Sequence, residues 1–127
     1  MILFGHPHIE SERFYFIDTI EQIAKTPSNA TLLTKEDSNF IIAKHCQKNN
    51  LTYGAYIESI EQMIIYSNLQ CAYFIIKNQE LLASCQNIAN HYLLDGKVLY
   101  QMTSQDKIET FATLQIDGLL YEVAIVR

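Results

Sequence analysis

A lysine and a glutamate stand where a parallel sheet would present them together. Glu58 follows the apolar stretch Leu51–Ile57 and Lys77 follows Cys71–Ile76. A lysine in an apolar site beside a carboxylate can serve as a Schiff-base amine or a general base, so this pair is the first candidate for chemistry. Asp18, Thr34 and Thr103 occupy corresponding places at the ends of other apolar stretches, and Ser59 stands beside Glu58. Together with Glu58 and Lys77 they are the candidate ligand-binding residues. All six belong to strand-to-helix junctions, where helix N-termini offer free N–H groups to a small anionic ligand.

His6 and His8 form the only His-x-His pair. Two imidazoles at that spacing on a strand can share a metal. Pro7 between them favours a turn instead, and no later strand end supplies a further histidine, so no metal is assigned. Cys46, Cys71 and Cys85 lack metal-ligand spacing and read as small core residues in a reducing compartment. None of the five strand-to-helix junctions contains glycine, and no GxGxxG or Walker pattern exists. The chain therefore offers no Gly-rich cradle for a nucleotide cofactor, and none is expected.

The elements that position these residues alternate. Arg13–Ile17, Ala30–Leu33, Leu51–Ile57, Cys71–Ile76, Lys97–Met102 and Leu119–Val126 read as strands. Between them lie helical patterns, the firmest over Gln79–Leu94 with Leu81, Cys85, Ile88 and Tyr92 on one face. Asp18 with Glu21, and Ser59 with Gln62, have the spacing of capping boxes, and Asn78 precedes the longest helix. Asn50, Asn68, Asp95-Gly96 and Asp117-Gly118 read as helix stops, with glycine supplying positive φ.

Uninterrupted apolar strands alternating with helices mean parallel strands joined by right-handed crossovers. The expected fold is α/β: a three-layer, open, mostly parallel sheet of about five to six strands, with helices on both faces. Its architecture is flavodoxin- or Rossmann-like, in a single domain over residues 1–127. A (β/α)₈ barrel takes about 250 residues, twice this length. The alternation resembles the flavodoxin-like class to which phospho-acceptor receiver domains belong. Asp18 stands alone after its strand, where those domains carry paired acids, so the resemblance is to architecture and their activity is not carried over.

With 49% apolar and 18% charged residues, the 127-residue chain has more apolar material than a small monomer must bury, which points to a homo-oligomer. A net charge of −5 and no Lys/Arg run argue against nucleic acid. Apolar runs are too short to span a bilayer, and no leader pattern opens the chain; a cytoplasmic protein is expected. With no catalytic pattern present, the first reading is an interaction or regulatory domain without catalytic activity. The alternative is a small-molecule-binding protein or small enzyme, with its site at the strand carboxyl ends around Glu58 and Lys77.

Overall fold

The computed structural model describes all residues from Met1 to Arg127. Eight strands form one all-parallel sheet: β1 (Ile2–Phe4), β2 (Phe14–Ile17), β3 (Thr31–Thr34), β4 (Tyr53–Tyr56), β5 (Tyr73–Ile76), β6 (Lys97–Gln101), β7 (Gly118–Leu120) and β8 (Ile125–Val126). The α-helices are α1 (Ile41–Lys48), α2 (Ile60–Asn68), α3 (Gln79–His91) and α4 (Ile108–Ala112), with a 3₁₀ helix over Ile20–Lys25 between β2 and β3. The α/β class and parallel pairing are as expected; the strand number is eight rather than five to six.

Strand order accounts for the further departure from a doubly wound sheet. The order is β1-β7-β6-β5-β4-β3-β2-β8, so β2 to β7 follow one another without reversal. A doubly wound sheet needs a reversal to place helices on its second face. Right-handed crossovers that always advance the same way keep every helix on one side. Accordingly Ala43, Met63, Leu82 and Phe111 from α1 to α4 all join one core, with the outward strand residues Leu32, Tyr53, Phe74 and Val98. The other face packs on itself. Phe4, Phe14, Leu33, Tyr56, Ile75, Leu99, Leu120 and Ile125, one from each strand, make a second core with Ala124. The expected three layers are therefore replaced by a helical outer layer around a sheet curled into a half-barrel.

Two observations require that curl. Strands β1 and β2 are six steps apart, about 29 Å across a flat sheet at ~4.8 Å per step. Yet the rings of Phe4 and Phe14 meet edge to face with centroids 5.1 Å apart. Strands β7 and β8 are also six steps apart, and only Tyr121–Ala124 joins them. Five residues of extended chain reach at most about 18 Å. The stretch expected as one strand, Leu119–Val126, thus divides: β7 pairs with β1 and β6, a 3₁₀ turn over Glu122–Ala124 shifts the chain, and β8 pairs with β2.

Local signals hold with small shifts. Ser59 Oγ accepts from Gln62 N at 3.2 Å, and Asn78 Oδ1 from Glu80 N at 3.0 Å, capping α2 and α3. The first cap lies one residue later than expected, at Thr19, with Gln22 Oε1 accepting from Asp18 N and Thr19 N. Asp37 caps α1 with both oxygens, taking Ile42 N and Ala43 N at 2.9 Å each. Asn50 has the expected positive φ, but after α2 that role belongs to Gln70 rather than Asn68.

The two Asp-Gly junctions serve another purpose than expected. Positive φ falls on Leu93 and Gln115, several residues earlier, and neither Gly96 nor Gly118 has it. Both glycines are needed for space. A Cβ on Gly96 would lie 2.4 Å from the Phe74 ring, and one on Gly118 would lie 2.6 Å from the Ile2 carbonyl oxygen. Asp117 ties the same corner: its Oδ2 accepts from Val98 N at 2.8 Å, and its N donates to the buried Gln86 Oε1 at 2.9 Å.

Candidate functional site

In parallel barrels, ligands gather at the carboxyl ends of the strands, because short loops and helix N-termini converge there. The middle of this half-barrel's inner face is apolar, and at the carboxyl end Tyr56 of β4 and Gln101 of β6 are both buried, with the Tyr56 hydroxyl donating to Gln101 Oε1. Strand alternation continues the inner face of β5 from Ile75 to Lys77. The Lys77 Nζ lies 5.1 Å from the centre of the Tyr56 ring. Arg127, following β8, places its guanidinium carbon 5.9 Å from the centre of the Phe16 ring and pairs loosely with Glu122 at 3.8 Å. Burial raises the Tyr56 hydroxyl above its ordinary range, with Arg127 opposing and Glu122 reinforcing that shift.

Beside these residues lies an open hollow of about 660 Å³, walled by Lys77, Gln101 and the Met102–Ser104 segment on one side and by Tyr121–Val123 on the other. That volume is in the range of small-molecule sites. The ring of His6 stands edge to face with the Tyr121 ring, 5.6 Å between centroids. Its Nδ1 accepts from His8 N at 3.1 Å, which confirms the turn and leaves Nε2 as the free ring nitrogen. No group of three or more His, Cys, Asp or Glu side chains is arranged to hold a metal ion.

The wall at Thr103 is built by Asp106. One carboxylate oxygen accepts from Thr103 N at 2.9 Å, Thr103 Oγ1 at 2.8 Å and the Tyr100 hydroxyl at 3.1 Å. Gln79, in the first turn of α3, donates to the same Tyr100 oxygen at 3.1 Å. Burial pushes the Asp106 carboxyl up, but these hydrogen bonds outweigh it and hold the group below the ordinary carboxylate range. A carboxylate lowered on folding stabilises the native state above its unfolded pKa and loses that contribution as pH falls through the folded value. Asp106→Asn should therefore be less stable than the parent at pH 7. The difference should shrink below about pH 4, as urea melts at the two pH values will show.

The six expected residues scatter. Lys77 and Thr103 share the hollow above. Glu58 lies in a separate one of about 270 Å³, with Lys35, Tyr56 and Gln62, and its backbone N donates to Gln62 Oε1. Glu58 makes no ion pair with Lys77; Arg127 with Glu122 is the one pair in the molecule. Asp18 borders a third hollow, about 310 Å³, whose other acids include the capping Asp37. Ser59 is consumed as a helix cap, and Thr34 is buried with its hydroxyl unpartnered. Sequence reasoning missed Tyr56, Gln101, Tyr121, Glu122 and Arg127. For Gln101 a signal existed: it is a polar residue two positions beyond Leu99 in a covered strand.

The chain matches no known protein family, curated protein or solved structure. The three cysteines are free and buried. Burial pushes the thiols of Cys46 and Cys85 up to about 11 and that of Cys71 to about 12, so they remain protonated core groups at neutral pH. No helix is long and apolar enough to cross a membrane.

Proposed function

We propose that this is a small-molecule-binding domain that takes an anionic compound at the carboxyl-end mouth of the half-barrel. The observation that carries the reading is the convergence of Lys77 and Arg127 on the aromatic rings around the buried Tyr56–Gln101 pair. Lys77 has no carboxylate partner, so its charge is free for a ligand. The Gln101 carbonyl oxygen is occupied by Tyr56, which leaves the side-chain amide N–H groups as donors. Thr103, held by Asp106, adds a fixed rim to the hollow.

Titration with inorganic phosphate, followed by amide NMR shifts, tests this. Shifts should centre on Lys77, Gln101 and Thr103. Lys77→Ala should weaken binding about tenfold, the scale of one charge-assisted hydrogen bond. Saturable shifts elsewhere, or binding unaffected by Lys77→Ala, would remove the reading.

A second reading, a self-associating interaction domain, rests on exposed apolar side chains, of which Tyr92 and Leu93 form an adjacent pair after α3, 65% and 85% exposed. Light scattering decides it: a mass above the 14.6 kDa of one chain supports it, and a strict monomer at micromolar concentration removes it.

A further inference from the structure

We propose that the mouth selects a small dicarboxylate bearing an amino group, the chemistry of an acidic amino acid, and that Glu122 is its specificity-determining residue. This rests on the anion-binding reading and names its ligand class.

The walls of the hollow and their immediate neighbour Arg127 carry three charges. Lys77 and Arg127 are positive and Glu122 is the one acid in the walls; the Asp106 carboxylate behind Thr103 is already engaged by hydrogen bonds from Thr103 and Tyr100. The Arg127–Glu122 pair is long, at 3.8 Å, with side chains 52% and 70% exposed. Such a pair is weakly held, so both groups can turn to a ligand at little cost. Two cations suit two carboxylates, and the Glu122 carboxylate suits an ammonium group. With an amino-dicarboxylate the six charges, three on the protein and three on the ligand, sum to zero. With a plain dicarboxylate Glu122 faces only like charge, and electrostatic complementarity is what separates related ligands. Gln101, whose amide nitrogen is left to donate, adds one neutral contact to a carboxylate.

The test compares L-aspartate with succinate, which share a carbon skeleton and differ in the amine. Both are titrated by calorimetry into the parent chain and into Glu122→Gln, with inorganic phosphate as a third probe. Glu122 is exposed, so its replacement should leave the amide spectrum otherwise unchanged. Aspartate should bind the parent about tenfold more tightly than succinate. In Glu122→Gln aspartate should weaken and succinate strengthen, so the preference falls below about twofold. Equal binding of the two in the parent, or a preference that survives Glu122→Gln, overturns the proposal. If phosphate binds and neither dicarboxylate does, the ligand class is wrong and the anion site stands. If none of the three binds, the anion site falls and this proposal with it.

Discussion

Gly96→Ala should destabilise the fold by about 3 kcal/mol, the upper range for forcing extra volume into a packed core. The added Cβ would lie 2.4 Å from one atom of the Phe74 ring and 2.7 Å from the Cys71 carbonyl oxygen. Neither neighbour can give way easily. Phe74 is fully buried in the helix-side core, and Cys71 is a buried residue just before β5. The sign of the effect separates two accounts of this glycine. Its φ is not in the left-handed region, so conformation alone would make alanine neutral or stabilising by up to about 1 kcal/mol. A lower urea midpoint at unchanged slope supports close packing; an unchanged or higher midpoint rules it out.

Phe14→Ala should cost about 4 kcal/mol, within the range for emptying a buried phenylalanine site. Phe14 is fully buried, its ring edge to face with Phe4 at 5.1 Å and with Tyr73 at 5.2 Å. Phe4 and Phe14 belong to strands that only curvature brings together. A double-mutant cycle on the two should return a coupling of about 0.5–1.5 kcal/mol. Additive losses would mean that the rings do not meet in solution and that the sheet is flatter than described.

The parallel alternation was legible because continuous apolar strands such as Cys71–Ile76 and the strong helical face of Leu81, Cys85 and Ile88 carry it directly. The curl was not. A strand covered by a second helical layer and one covered by the opposite side of its own sheet have the same apolar sequence. Direction of winding is set by which strands pair, and no local residue pattern records it. Caps at Ser59 and Asn78 were readable since their bonds are made within three residues. Glycine was misread at Gly96 and Gly118, where the constraint comes from Phe74 and Ile2, residues remote in sequence. Lys77 and Thr103, singled out from their places at strand ends, line one hollow together. Glu58 lines a different hollow and makes no ion pair with Lys77, a separation that its place after an apolar stretch does not reveal. Glu122 and Arg127 come from the split of the last apolar stretch, which composition could not foretell.

That split also bears on how the chain folds. From β2 to β7 each strand pairs with one about twenty residues away, so the sheet can grow by successive short loops. The pairings of Ile2 with Gly118 and of Phe14 with Ile125 instead join positions more than a hundred residues apart. On loop-closure entropy alone, each of these starts about 1.5 kcal/mol behind a neighbouring crossover. The central ladder should therefore form before β1 and β8 join its two ends. Arg127 and Glu122 would reach the mouth only in that last step, so the proposed anion site would be complete only with the final closure and not with the bulk of the secondary structure.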